Sequence, residues 1–139
     1  MASVKVTDRI EASAERVWDL LRDFGGIQRF SPSIESVSVQ GEGVGAVRTL
    51  TLPGGIALQE RLEALDDASR TLRYAIVGSH PLPFDEYLAT IRLAEDGEGC
   101  QIEWSSSFAP RGGAEAQAAG MVEGIYRSGI AGIKKALAG

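Results

Sequence analysis

Apolar and polar residues alternate along most of the chain, most clearly between Gly45 and Tyr87. Because successive side chains of a strand point to opposite faces, this pattern predicts strands with one buried face. Seven strands are predicted, over residues 3–10, 34–39, 47–52, 56–65, 71–77, 87–94 and 101–108. Strands that recur every ~8–12 residues are typical of an antiparallel meander, in which chain neighbours pair with each other.

Between the first two strands the apolar residues recur at helical spacing instead. Ser13 is a predicted N-cap, and the helix that it starts is expected to extend to Phe24. The Gly-Gly pair at 25–26 is expected to end this helix, because glycine readily adopts the left-handed conformation of a C-cap. A further short helical turn is predicted over residues 27–30, before Pro32.

After residue 113 helical spacing continues to the end of the sequence, which predicts one helix of about 25 residues. Its predicted buried face carries Val122, Ile125, Tyr126, Gly129, Ile130, Ile133 and Leu137. Glycines also stand inside this helix, at positions 120, 124, 129 and 132, and each costs about 1 kcal/mol relative to alanine. Two explanations stay open: the small residues leave room for a ligand, or they let the helix approach the sheet closely.

A seven-stranded antiparallel sheet has a face to cover, and the chain offers one long helix to cover it. We therefore expect a single domain, residues 1–139, with an α+β fold of element order β-α-α-β-β-β-β-β-β-α. In this fold a strongly curved sheet grips the C-terminal helix, and two short N-terminal helices close one end. One helix is too slim to fill the hollow of such a sheet, which predicts a cavity. The loops 52–55 and 78–83 are expected to flank its mouth.

Composition and charge argue against nucleic acids and membranes as partners. The chain has 139 residues, 44% of them hydrophobic, and a net charge of −5. Its cations are scattered singly apart from Lys134 and Lys135, so no basic face for nucleic acid is predicted. No apolar run reaches the ~18 residues of a membrane span, and the charged, alternating N-terminus is not typical of a signal peptide. We expect neither nucleic-acid binding nor membrane insertion.

Cysteine and histidine are too few for most metal sites. Cys100 is the single cysteine and His80 the single histidine. A lone cysteine forms no internal disulfide and fits a reducing cytoplasm. Because H-x-x-H and C-x-x-C spacings are absent, neither a metal site nor a cofactor is predicted. Cys100 is interpreted as structural, whereas His80 is either a solvated loop residue or a residue that contacts a ligand.

Three segments carry a resemblance to a known superfamily: GAVR at 45–48, ERLEALD at 60–66 and YAIVG at 74–78. On these segments the chain resembles the START-like superfamily, over nearly its whole length. It is most similar to the bacterial polyketide cyclase/dehydrase and lipid transport proteins (the SRPBCC group), and more distantly to the plant abscisic acid receptors. Members share the helix-grip fold and bind hydrophobic ligands in its cavity, so the resemblance implies both for this chain.

The resemblance also implies positions for the site. Pro53 lies in a loop that resembles the mobile gate of the receptors, and His80 and Leu82 lie in a segment that resembles their latch. Polar pocket positions of the receptors match Glu60, Tyr87 and Glu103. Wall and end positions match Phe30, Leu50, Leu52, Leu58, Tyr74, Ile76, Ala89, Met121, Ile125 and Gly129. Ser31 stands where the receptors hold a carboxylate with lysine, so a neutral or weakly polar ligand is expected.

Glu60 and Glu103 are the candidate groups for chemistry. If the resemblance places their strand faces inward, both carboxyl groups enter the cavity. Burial disfavours the charged form of a carboxyl group, and Glu60 would then act as a general acid or base, with Tyr87 as a phenolic donor. The alternative is that Glu60 pairs with an arginine such as Arg48, or holds ordered water.

Three functions are compatible with these features. The leading hypothesis is a non-catalytic protein that binds or carries a small hydrophobic molecule, such as a polyketide, a terpenoid or a lipid. The alternative is a polyketide cyclase or dehydratase that uses Glu60 and Tyr87. The third is an interaction module, in which the gate and latch loops close on a ligand and contact a protein partner or a second copy of the chain.

Overall fold

Seven antiparallel strands and one long helix form most of the structure, a computed structural model that describes residues 1–138. In chain order the elements are β1 (Ala2–Ile10), α1 (Ala14–Leu21), a 3₁₀ helix (Phe24–Arg29), β2 (Ser36–Gln40), β3 (Val47–Leu52), β4 (Ile56–Asp66), β5 (Thr71–Val77), β6 (Phe84–Asp96), β7 (Gly99–Pro110) and α2 (Glu115–Leu137). The predicted element order is confirmed.

The strands form one sheet in the order β1-β7-β6-β5-β4-β3-β2, and every neighbouring pair is antiparallel. From β2 to β7 each strand pairs with its neighbour in sequence, as a meander requires. β1 is the exception, because it joins the far edge beside β7. The α+β helix-grip fold predicted from the sequence is confirmed.

Helix α2 is held against the sheet by its apolar face. Four side chains of this face, Val122, Tyr126, Ile130 and Ile133, are at most 2% exposed. The Tyr126 ring stacks on Trp104 of β7, with 4.7 Å between ring centroids and 16° between ring planes. Aromatic stacking of this kind adds about 0.5–1.5 kcal/mol to the burial of the rings themselves. The stack therefore locates the middle of α2 over β7.

The first helix ends earlier than its sequence predicts. Ser13 caps α1 as expected, since its side chain accepts a hydrogen bond from the backbone N–H of Arg16. However, α1 ends at Leu21, and the glycine pair 25–26 lies inside the 3₁₀ helix without positive φ angles. The predicted left-handed cap is therefore wrong, because the chain ends α1 four residues before Gly25 and continues through the glycine pair as a 3₁₀ helix.

The glycines of α2 divide into two kinds, and close approach of the helix explains one of them. A Cβ on Gly129 would lie 2.7 Å from Trp104, and one on Gly132 would overlap the backbone carbonyl of Phe30. These two glycines permit close approach of the helix. By contrast, a Cβ on Gly120 or Gly124 would have no neighbour within 4 Å.

We expect Gly132→Ala and Gly120→Ala to change stability in opposite directions. At Gly132 the new methyl group collides with backbone, and overpacking of this kind lowers the free energy of unfolding by about 1–3 kcal/mol. At Gly120 the methyl group meets no other atom. The better helix propensity of alanine there raises the free energy of unfolding by about 0.5–1 kcal/mol. Urea unfolding of both variants measures these changes. An unchanged or more stable Gly132→Ala would contradict the close contact between α2 and Phe30.

Candidate functional site

A cavity of about 410 Å³ lies between the sheet and α2. Twelve of the residues predicted for the site line it: Ser31, Leu50, Leu52, Leu58, Glu60, Tyr74, Ile76, Leu82, Tyr87, Met121, Ile125 and Gly129. The cavity exists because the curved sheet is wider than one helix can fill. Met121 and Ile125 are 38% and 49% exposed, so they lie at the rim rather than in the interior.

Glu103 is the clearest error among the predicted site residues. In β7 the neighbours Ile102 and Trp104 are buried toward the helix, so the alternation of the strand directs Glu103 to the opposite face. Its carboxylate instead forms an ion pair with Lys5 of β1, with 2.9 Å between Oε1 and Nζ. The strand had been assigned the wrong inward face.

Four other predicted residues also lie outside the cavity wall. Pro53 is exposed at the tip of the β3–β4 turn, and Ala89 is buried in the sheet without reaching the cavity. Phe30 is buried, but it lines a separate groove beside α2. The fourth, His80, is described with its loop below.

Eight lining residues were not predicted: Ile27, Ser33, Ile34, Arg48, Phe84, Trp104, Gly124 and Ser128. Arg48 had a usable signal, because it shares a strand face with Leu50 and Leu52, which were predicted to face inward. Ser33 and Ile34 belong to the segment between the 3₁₀ helix and β2. The periodicity had predicted that the second strand starts at Ile34, whereas β2 begins at Ser36. The place of both residues depends instead on how the segment folds over the cavity.

A buried ion pair between Arg48 and Glu60 forms the polar part of the cavity wall. The two residues are cross-strand partners in β3 and β4. Two guanidinium nitrogens of Arg48, Nε and Nη2, lie 2.8 and 2.7 Å from Glu60 Oε1. The side chains are only 8% and 10% exposed. The alternative in which Glu60 pairs with Arg48 is therefore confirmed.

Arg48 is also bonded to the N-terminal part of the chain. Its Nη1 donates a hydrogen bond of 3.0 Å to the backbone carbonyl of Phe24, and its guanidinium lies 4.0 Å from the centroid of the Phe24 ring. Both contacts with Glu60 go to Oε1. The second carboxylate oxygen, Oε2, has no such contact with Arg48.

Three tyrosines and a tryptophan form a hydrogen-bonded cluster beside this pair. The hydroxyl of Tyr87 bonds that of Tyr126 and lies 3.5 Å from that of Tyr74, which accepts a hydrogen bond of 3.1 Å from Trp104 Nε1. Burial raises the pKa of Tyr74 and Tyr87 well above the usual value, and raises the pKa of Tyr126 to about 12. The cluster therefore stays neutral at ordinary pH and serves as a donor and acceptor.

A β-bulge in β6 turns Tyr87 toward the cavity. The register with β7 shifts between Asp85 and Leu88, and Glu86 has a φ of 55°. A bulge inserts an extra residue and so changes which side chains share a face. Phe84 and Tyr87, three residues apart, consequently both point inward and both line the cavity. Period-two alternation alone would have separated them.

The loop 78–83, predicted to resemble a latch, is held by an ionic contact. Arg111 donates hydrogen bonds of 2.7 and 2.6 Å to the carboxylate of Asp85 and one of 3.2 Å to the carbonyl of His80. The His80 side chain is only 5% exposed, and its Nδ1 accepts a 3.2 Å hydrogen bond from the N–H of Leu82. The interpretation of His80 as a solvated loop residue is wrong. It supports Leu82, which lines the cavity, without lining it itself.

Neither a metal-binding cluster nor the cysteine contributes to the site in the described part of the chain. Among residues 1–138, no three His, Cys, Asp or Glu side chains come together in a way that could hold a metal ion. Cys100 is fully buried, and burial raises the pKa of its thiol. Within the same described part of the chain, no helix is both long and apolar enough to cross a membrane.

Comparison with known proteins matches the whole described chain to one family. The model of the family described as polyketide cyclase/dehydrase and lipid transport covers residues 1–138. The chain is also similar to the abscisic acid receptor PYL2 of Arabidopsis thaliana, with 37% identity over 78 residues. That match spans 52% of this chain and 41% of the receptor, so it covers less than half of the receptor's length.

Solved structures of two bacterial proteins are similar over almost the full length. Protein XoxI of Bacillus cereus is 33% identical, with a TM-score of 0.89 and coverage of 98% of this chain and 95% of that chain. An uncharacterized protein of Bacillus thuringiensis is 31% identical, with a TM-score of 0.90 and coverage of 99% and 100%. Both support the fold described above.

Replacing Arg48 by methionine is expected to be strongly destabilising, because the carboxylate of Glu60 then stays buried without its partner. Loss of one member of a buried ion pair costs about 3–5 kcal/mol. A matched control is Arg61→Met, since Arg61 pairs with Glu63 at 2.7 Å but both side chains are a third or more exposed, and exposed pairs contribute about 0–1 kcal/mol. Urea unfolding of both variants measures the loss in the free energy of unfolding for each. Equal losses would contradict the energetic role of the buried pair.

His80 is expected to titrate below its usual pKa of about 6.5, since burial and then the charge of Arg111 lower the pKa. Protonation also removes the acceptor that Nδ1 offers to Leu82. Because the unfolded chain binds this proton more readily, the stabilisation is complete above pH ~6.5 and is lost as the pH falls toward the folded pKa. Titration of the imidazole by NMR measures the shift, and a folded pKa at or above 6.5 would contradict this environment.

Proposed function

The chain belongs to the polyketide cyclase/dehydrase and lipid transport family, and we propose that it binds a small, mostly apolar molecule in the cavity between the sheet and α2. The observation that carries the proposal is the cavity itself. Its volume of about 410 Å³ lies within the ~300–1,000 Å³ of typical ligand sites, which are lined by apolar side chains and a few polar groups.

The polar groups of the wall indicate which functional groups the ligand bears. Among the described residues that line it, Arg48 and Glu60 are the only ionisable side chains apart from the tyrosines, and they neutralise each other. Glu60 Oε2 is placed to accept a hydrogen bond from a hydroxyl or amide of the ligand. Tyr87 adds a neutral phenol. A ligand with an apolar body and one or two uncharged polar groups fits this wall.

An acid placed inside the cavity fits it less well. One relative is named as an abscisic acid receptor, and abscisic acid carries a carboxylate. In this chain Ser31 occupies the position where the resemblance expects a lysine, and the guanidinium of Arg48 is already bonded to Glu60 and to Phe24. An uncompensated charge in the interior would be costly. We therefore propose that the group inside the cavity is uncharged.

Catalysis by Glu60 is the less supported alternative. A cyclase or dehydratase would need this carboxyl group to give or take a proton, whereas charge-assisted bonds from Arg48 at 2.7 and 2.8 Å suit a carboxylate that acts as an acceptor. Closure of the loops 52–55 and 78–83 on a protein partner or a second copy of the chain stays a prediction. The binding function stands without either.

Filling the cavity from α2 tests the proposal. Gly124 lines the cavity and a Cβ there meets no atom within 4 Å, so Gly124→Leu is expected to fold and to occupy ligand space. Gly120→Leu, also unobstructed but outside the cavity wall, is the matched control. For a panel of lipophilic ligands, we expect a thermal shift with the wild type and Gly120→Leu, and at least a tenfold weaker affinity with Gly124→Leu.

Native mass spectrometry of the gently purified protein complements this test, because a molecule retained in the cavity adds a defined mass. Ligand present at 100 times its dissociation constant stabilises the folded state by about 2.7 kcal/mol, which a thermal shift detects readily. If no ligand of the panel shifts the unfolding temperature and no molecule is retained, the binding proposal is wrong. Equal affinities of Gly124→Leu and the control would place any binding outside the cavity.

A further inference from the structure

A second depression, here called the basic groove, lies beside the cavity between α2 and the segment after the 3₁₀ helix. Its charged lining residues are Arg29, at the end of the 3₁₀ helix, and Lys135, in the last turn of α2. No acidic residue of the described chain lines it. In a protein with a net charge of −5, a groove whose charges are both positive is suited to an anion.

The basic groove and the cavity share part of their wall. Ser31, Ser33 and Ser128 line both. Each of these side chains is small and carries a hydroxyl that donates or accepts a hydrogen bond. Ser31 is half-buried, and Ser33 and Ser128 are exposed. The cavity and the groove are therefore adjacent, and polar side chains line the boundary between them.

The cations of the groove are at most weakly paired within the described chain. Arg29 has a contact with Asp23, but at 3.8 Å between Nη1 and Oδ2 it exceeds hydrogen-bond distance, and both side chains are more than half exposed. Such a pair contributes little and is easily replaced. Lys134 pairs with Asp8 at 2.8 Å on the other side of the helix, whereas Lys135 lines the groove.

The two charged side chains of the cavity wall, Arg48 and Glu60, are paired with each other, and Leu52, Leu82, Met121 and Ile125 make another part of the wall apolar. We propose that the ligand is amphipathic, with its apolar body in the cavity and an acidic head group in the basic groove between Arg29 and Lys135. This inference rests on the proposed function and adds the chemical class of the ligand. In this arrangement the acidic group of the ligand binds in the basic groove, where water still solvates the charges, and not at the cavity wall.

Paired probes with the same chain test the head group separately from the body. Sodium octanoate, octyl phosphate and 1-octanol are titrated into the ¹⁵N-labelled protein, and dissociation constants are taken from NMR shifts. At low salt we expect at least one acid to bind about three- to tenfold more tightly than octanol, the effect of two exposed charge contacts. Its advantage should diminish at high salt, and shifts should appear at Ser31, Ser128 and Lys135.

Variants identify the cations responsible. In the double variant Arg29→Gln/Lys135→Gln the acid is expected to lose its advantage over octanol, while octanol binds as before. Arg127→Gln is the control, because Arg127 is an exposed cation of the same helix that lies outside both depressions. If octanol binds and neither acid binds more tightly, or if the double variant keeps the preference, the inference is wrong and the proposed function stands. If no probe binds, the inference is wrong, whereas the proposed function is decided by the ligand panel and by native mass spectrometry.

Discussion

The contact between α2 and β7 determines where the cavity lies. Trp104 touches the helix where Gly129 has no side chain, and Tyr126, three residues earlier, stacks on the same indole ring. Because the helix is pressed onto the sheet here, the remaining width of the curved sheet cannot also be covered by it. The void therefore opens toward β3, β4 and β5, which supply Leu50, Glu60 and Tyr74 to its wall.

A second contact, between Gly132 and the carbonyl of Phe30, binds α2 to the segment that follows the 3₁₀ helix. This contact brings the serine-rich side of that segment beside the helix and so creates the basic groove. The two contacts have a common physical basis: glycine lets a helix approach an aromatic ring or a backbone carbonyl more closely than any residue with a Cβ. Each glycine costs helix propensity, which close packing of the surrounding atoms offsets.

Charge is distributed in the site according to burial. Where water is excluded, Arg48 and Glu60 are paired with each other, and the tyrosines remain neutral because burial raises their pKa. Where water reaches, Arg29 and Lys135 carry unshared or weakly shared charge. The cost of burying a charge without a partner explains this separation.

The sequence by itself determined the seven strands, the long C-terminal helix and the hollow between them, because periodicity and segment lengths leave few ways to cover such a sheet. It also indicated Glu60 and Tyr87 as cavity residues through family resemblance. Only the tertiary structure decided which face of β7 points inward, since alternation defines two faces without saying which is buried, and Glu103 was misplaced for this reason. Three further features also depend on contacts between residues distant in sequence, which no local pattern encodes. They are the bulge that turns Tyr87 inward, the choice of partner for Glu60 and the different roles of the glycines in α2.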